Sequence, residues 1–301
     1  MFTRHVQHDL TWIDLISPTP GEVRELMQEF AVDPKIAQEL LAPSVKSKVE
    51  RHGHLAYLVL HFPALRGSGR AEQEIDFIIG KHFLITTRYE NVDRLHFFAK
   101  AFEVESVLGH TSMTNGGHLF AAMARNLYHA LLSECDSVER RLLEAEEKIF
   151  SGNERKMVIE ISLIGRVIHD FRQALVPHRE MLESLEPVGE RLFGAEFGYH
   201  IKGVLGEYAR VHRTLENLYT SLLELRETNN SLLSTKQNDI MKNLTIMAFM
   251  TFPLSLISSL FAIDARHRPI IGLPYDFWIL LGLMAVLAGI FYMFFKYKKW
   301  I

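Results

Sequence analysis

Asn238, Met241, Leu244, Ala248, Phe252, Ser255 and Ser259 recur every three or four residues, the spacing that puts side chains on one face of a helix. The stripe is mostly narrow and apolar, with two small hydroxyls at its far end. It offers no nucleophile beside a base, so its chemistry is that of a surface. It either packs on a neighbouring helix or lines a passage. The other candidates are weaker. His52-Gly53-His54, with His61 beyond it, could gather imidazoles on one side of a strand, as a metal site would. Strand and loop histidines usually make ordinary hydrogen bonds, and that is the reading adopted for these. Cys135 is the single cysteine, which excludes an internal disulfide and a thiolate cluster, and it reads as a buried or idle thiol. The acidic run from Glu134 to Glu147 reads as a solvated helix face. No glycine-rich phosphate loop and no G-x-S-x-G elbow is present, so the chain is not expected to be an enzyme.

The stripe runs into a stretch that must be helical for a different reason. Asn243 to Ile263 is 21 residues without a formal charge, and Phe277 to Phe295 is 19 more. At about 1.5 Å per residue each can cross a hydrocarbon core of about 30 Å. The 13 residues between them close a transmembrane hairpin that ends the chain in a lipid bilayer. Lys236 and Lys242 precede the first span, and Lys296, Lys298 and Lys299 follow the second. This distribution favours both termini in the cytosol. Arg266 and Arg268 in the loop weaken that orientation without reversing it. A net charge of −3 gives no bulk attraction to nucleic acid.

Residues 1–118 read as a mixed α/β cytosolic domain. His54 to Phe62 is an apolar run of strand formers, and Glu74–Gly80 and His82–Thr87 flank a Gly80-Lys81 turn. Pro20 to Phe30 reads as a helix capped by Thr19, with a second short helix from Asp33 to Leu41. Residues 119–198 read as an antiparallel helical hairpin broken at Ser151-Gly152-Asn153, with Pro177 kinking or ending its second arm. Residues 199–263 read as one long stalk helix that becomes the first span. Val211, Leu215, Leu218, Leu222, Leu225, Asn229, Leu232 and Lys236 follow a 4-3-4-3 spacing along it, the seam of a coiled-coil-like helix. That seam is expected to pack on copies of itself, or on the preceding hairpin. Residues 264–276 form the extracytoplasmic loop, 277–295 the second span and 296–301 a basic cytosolic tail.

Several stretches resemble one family. Met241-Lys-Asn-Leu-Thr-Ile-Met-Ala-Phe-Met-Thr-Phe-Pro-Leu254 is similar to the start of the pore helix in CorA-type divalent-cation transporters. Phe294-Phe-Lys-Tyr-Lys-Lys-Trp-Ile301 resembles the family's lysine-rich terminus. Glu74 to Thr86 resembles its cytosolic strand pair, and Asn230 to Lys242 the segment leading into the pore. The similarity covers nearly the whole chain in the same order.

The resemblance implies an α+β cytosolic domain, a long helical stalk and two transmembrane helices, assembled as a funnel-shaped homopentamer in the inner membrane. It places the stripe from Asn238 to Ser259 toward a central axis, with Leu244 and Phe252 as apolar constrictions that gate by excluding water. Mg2+ or Zn2+ is then the transported or regulatory ion, moved passively, with no covalently bound cofactor. The family's Gly-Met-Asn signature is missing. The matching position reads Ala262-Ile263-Asp264, closest to the Gly-Ile-Asn of the zinc-transporting branch at Ile263. A ring of Asp264 carboxylates would attract divalent cations at the pore mouth, as a metal site, unless Arg266 or Arg268 pairs with it. The lost signature also supports a rival reading, a non-conducting membrane scaffold or sensor built on the same architecture.

Overall fold

The computed structural model describes residues 2–7, 9–44, 46–63, 72–89, 95, 98–102, 113–263, 270, 275–298 and 300. The chain divides into two units, Met1–Arg226 and Glu227–Ile301.

The first unit is built on a six-stranded sheet. Its strands are β1 (Phe2–Gln7), β2 (Leu10–Ile16), β3 (Lys48–His52), β4 (Leu55–Pro63), β5 (Glu72–Ile79) and β6 (Phe83–Arg88). They lie in the order β1-β2-β6-β5-β4-β3, with only the β2–β6 pair parallel. Strands β4, β5 and β6 are buried almost throughout, because helices cover both faces of the sheet. A strand with no solvent face reads as a continuous apolar run, which is why His54–Phe62 was visible without alternation. On one face α1 (Pro20–Phe30) and α2 (Pro34–Glu39) set Leu26, Ile36 and Leu40 against Ile13, Tyr57, Val59 and Ile85. Thr19 and Glu22 form a reciprocal capping box that starts α1. Among the polar groups the sheet buries, Asp14 is held on two sides. Arg88 grips the Asp14 carboxylate at 2.7 Å through Nη2, and the Thr86 hydroxyl donates to the same carboxylate at 2.7 Å.

The other face carries the helices. These are α3 (Gly116–Lys148), α4 (Glu154–Leu175) and α5 (His178–Phe193), followed by α6 (Glu196–Ala262), which continues into the second unit. Phe120 of α3 meets Phe77 of β5 edge-on, with ring centroids 5.2 Å apart. Helices α3 and α4 turn back on each other through Ile149–Asn153, where Gly152 takes φ +94. Arg141 and Glu160 bridge the two arms at 2.8 Å. Residues 119–198 therefore hold three helices rather than a two-armed hairpin. Pro177 lacks an N–H to continue α4, and it caps the separate helix α5 instead.

The first part of the stalk seam is covered by its own chain, while Leu232 is half-buried and Lys236 exposed. Val211, Leu215, Leu218, Leu222 and Leu225 are all buried within one copy. Gly165 of α4 leaves room for Leu222; a Cβ there would lie 3.1 Å from Leu222 Cδ2. Arg172 of α4 binds Glu216 at 2.9 Å and stacks over Tyr219 at 4.3 Å. Of the two expected partners, the preceding hairpin is the one seen along Val211–Leu225, through its arm α4. Asn229 is also buried, and its Oδ1 has no partner among the described residues.

In the second unit the outer part of α6 packs on α7 (Asp276–Tyr297). Ile246 and Phe295 are buried, and Phe249 meets Phe295 at 6.4 Å. Helix α6 runs through Pro253 without ending. Thr245 and Thr251 return their hydroxyls to the carbonyls of Met241 and Met247, at 2.8 and 2.9 Å.

Candidate functional site

Both apolar helices are long enough to cross a bilayer and are almost wholly exposed in the single chain. In water such surface would be a liability, so lipid or further copies must cover it. The burial pattern divides α6 into two faces. Lys242, Ile246, Met250, Pro253, Ile257 and Phe261 are half-buried or buried. These recur at helical spacing and form the face that carries Ile246, the buried contact residue of the outer α6. At about 100° per residue, the predicted stripe centres on the opposite side. Asn238, Met241, Leu244, Phe252, Ser255 and Ser259 are exposed there, and Ala248 is half-buried. Phe252 is 72% exposed, the most open large apolar side chain of the outer α6. Ala262 ends α6 and Ile263 follows it, also exposed. Asp264, Arg266 and Arg268 lie outside the described residues.

The stripe therefore lies on one face, free in the single chain. It combines an amide, apolar bulk and hydroxyls, with no acid–base pair.

The soluble candidates resolve into structural roles. His52 ends β3 while His54 sits in the following turn, because Gly53 adopts φ +57. They do not share a strand face. His52 bonds Glu50 at 2.9 Å, and His54 reaches the Phe30 carbonyl at 3.3 Å. His61 contacts the Ser44 carbonyl at 3.0 Å and Glu74 at 3.4 Å. The hydrogen bond to Glu74, opposed by burial, holds the His61 pKa above its ordinary value. Beside it Asp76 is pushed well above the carboxylate range by burial and then by the Glu74 charge. Burial, with Asp136 and Glu134 adding to it, pushes the Cys135 thiol up to about 12, which leaves no thiolate at neutral pH. The acids of the Glu134–Glu147 run lie mostly outside a buried stripe of Cys135, Val138, Leu142 and Ala145.

Sequence reasoning missed two groups in the soluble unit. His178 is fully buried, and no local pattern marks it. The fold also brings His118, Glu196 and His200 together, with one ligand atom of each within 4.8 Å of the others. The i, i+4 spacing of Glu196 and His200 was readable; their approach to His118 was not.

Comparison with known proteins agrees with this geometry. A sequence model of the CorA family, described as CorA-like Mg2+ transporter protein, matches residues 7–298. The chain is 23% identical over 302 residues to the cobalt/magnesium transport protein CorA of Thermotoga maritima, covering 97% of this chain and 83% of that one. It is 21% identical to the zinc transport protein ZntB of Pectobacterium atrosepticum, covering 96% of this chain and 88% of the relative. The complete structure of the CorA magnesium transporter from Methanocaldococcus jannaschii superposes with a TM-score of 0.85 at 19% identity, covering 97% of this chain and 92% of that one. That likeness shows the same fold: a soluble α/β domain, a long helix and two apolar C-terminal helices.

Proposed function

The chain belongs to the CorA family of Mg2+ transporters, and from that premise we propose that it forms a passive membrane channel for divalent cations. Transport of divalent metal ions is the activity of this family, which is not one of enzymes. The finer reading is that copies of α6 enclose a central pore, with the Asn238–Ser259 stripe on its wall and α7 toward lipid. One observation carries it: the stripe occupies the face of α6 turned away from the contact with α7, so both neighbours of α6 are accounted for at once.

Two spans cannot surround a passage, so several copies are required, and the family resemblance makes the number five. The chain sits in the inner membrane with both termini on the cytosolic side, as the flanking lysines favour. A divalent ion gains about 4.6 kcal/mol per 100 mV of membrane potential, at about 2.3 kcal/mol per charge, which suffices to drive entry without a pump. Leu244 and Phe252 narrow the path with apolar rings that exclude water, while Ser255 and Ser259 offer hydroxyls to the hydrated ion. Relatives named for magnesium, cobalt and zinc transport support this ion class.

The test is flux into liposomes carrying the purified full chain, comparing magnesium, zinc, cobalt and nickel. Phe252→Ala is expected to raise flux several-fold by opening the constriction. No flux of any of these ions would refute the channel. Flux that is present but indifferent to Phe252→Ala would put that side chain off the path.

A further inference from the structure

The unit Met1–Arg226 holds a cluster that the channel reading does not use. Gly116 sits so close to the turn before β6 that a Cβ would lie 2.2 Å from the Gly80 carbonyl oxygen and 2.3 Å from that of Phe83. Gly117 lets the same backbone meet the α5–α6 junction, where a Cβ would lie 2.8 Å from both Phe193 and Phe197. These two close approaches fix the next residue, His118, at the start of α3. Its backbone N–H is held by the Asn115 cap at 2.9 Å. Across from it the first turn of α6 presents Glu196 and His200 on one face. The His118 and His200 rings lie 4.2 Å apart between centroids, and His200 Nε2 is 4.0 Å from Glu196 Oε1.

His118 is 6% exposed, and its Nε2 is buried with no hydrogen-bond partner among the described residues. A buried, unpaired ring nitrogen is costly unless something binds it. Its other nitrogen, Nδ1, lies 3.0 Å from the Thr114 hydroxyl. With Nδ1–H donating to that oxygen, Nε2 carries the lone pair and is the nitrogen left to bind a metal. This is the arrangement by which an outer hydrogen bond sets the tautomer of a metal-binding histidine. Burial, helped by His200, also lowers the His118 pKa and so favours the neutral ring.

We propose that His118, His200 and Glu196 form a binding site for a borderline divalent transition metal of the zinc class, in the soluble part of the chain. Two imidazoles and one carboxylate suit zinc or cobalt far better than magnesium, which prefers an oxygen shell. Bonds of about 2.0–2.1 Å place tetrahedral ligand atoms on the order of 3.3 Å apart. The atoms now span up to 4.8 Å, and Glu196, exposed at the helix start, has the freedom to close the difference. Three protein ligands leave a fourth position for water. The site would clamp the first turn of α6 to the start of α3.

The test uses metal-stripped full-length protein in mild detergent, titrated with Zn2+ by calorimetry in excess Mg2+. A parallel Co2+ titration is followed by the visible bands of four-coordinate cobalt. One zinc per chain should bind and resist magnesium. His200→Gln and Glu196→Gln should each weaken it at least about tenfold, and Thr114→Val by about tenfold through the freed tautomer. Glu196 is exposed and His200 only half-buried, so their variants should fold, which circular dichroism checks; His118→Gln probes the buried side. Zinc binding of unchanged affinity and stoichiometry in His200→Gln and Glu196→Gln would place the metal elsewhere and overturn the proposal. The absence of any magnesium-resistant zinc in the wild type would do the same. Neither result bears on cation flux, so the channel reading stands or falls separately.

Discussion

His178 should make the soluble unit acid-labile. The imidazole is fully buried between β4 and α3, with Nε2 2.9 Å from the His61 carbonyl and Nδ1 2.8 Å from the Tyr128 hydroxyl. A carbonyl only accepts, so Nε2 carries the proton and Tyr128 donates to Nδ1. Phe62 and Tyr208 complete the wall, and neither offers a negative charge. Burial therefore pushes the His178 pKa down from 6.5 to about 4, opposed in smaller part by the hydrogen bond to the His61 carbonyl. The sign follows from linkage. Between these values the unfolded chain takes up a proton that the folded one refuses, so stability is full above pH 6.5 and is lost as pH falls toward 4. Going from about pH 7.5 to about pH 5 should cost about 2 kcal/mol, on a full span of about 3 kcal/mol below pH 4. His61, raised by Glu74, works in the opposite direction from pH 6.5 upward, gaining stability as pH falls to 6.5, so a raw profile that starts above that value mixes the two. Comparison with His178→Gln removes the mixture, since Gln cannot titrate and keeps a donor for the His61 carbonyl. Urea unfolding of the full chain in detergent is the assay. The stability gap between wild type and variant should shrink by about 2 kcal/mol on acidification. A gap that stays constant would mean that His178 is accessible to protons in the folded state, and the burial argument would fail.

Two further outcomes follow from the membrane unit. Mass photometry in mild detergent should give a single closed assembly near five copies, because α6 has no second span of its own chain on its free face; a monomer or dimer would sink the pore. At the expected mouth, Asp264→Asn should weaken divalent binding if the carboxylates are free, and cut flux of every ion if Arg266 is thereby left uncompensated. Arg266→Ala raises flux only in the second case, and indifference to both changes would remove Asp264 from the path.

The sequence disclosed most where a physical constraint acts locally. Uncharged runs of bilayer length, the Thr19 cap and the Gly80-Lys81 turn each depend on residues within a few positions. So does the single-sided stripe from Asn238 to Ser259. The seam from Val211 to Leu225 was equally legible as a periodic apolar face. Its partner was left between copies of itself and the preceding hairpin, because a 4-3-4-3 pattern specifies that something must cover the face without deciding which. The covering helix is α4 of the same chain, admitted by Gly165 and held by Arg172 to Glu216. His52 and His54 failed for a related reason. Alternation assumed an unbroken strand, and the positive φ of Gly53 ended it between them.

The His118 cluster shows where local reading stops. Its members lie 78 and 82 positions apart across α3 to α6, and what joins them is the absence of side chains. Gly116 brings its backbone against the Gly80 and Phe83 carbonyls, and Gly117 against the Phe193 and Phe197 rings, closer than a Cβ would allow. A glycine in a sequence signals a turn, a cap or a close approach with the same letter. Only the fold decides which, and here it decides for close approach twice in succession. Replacing either glycine would force the start of α3 away from the Phe83 carbonyl or the Phe197 ring. That would carry His118 off His200 while leaving every proposed ligand in place. A metal site made this way depends on packing as much as on its donors, so a relative could keep all three ligands and still lose the site.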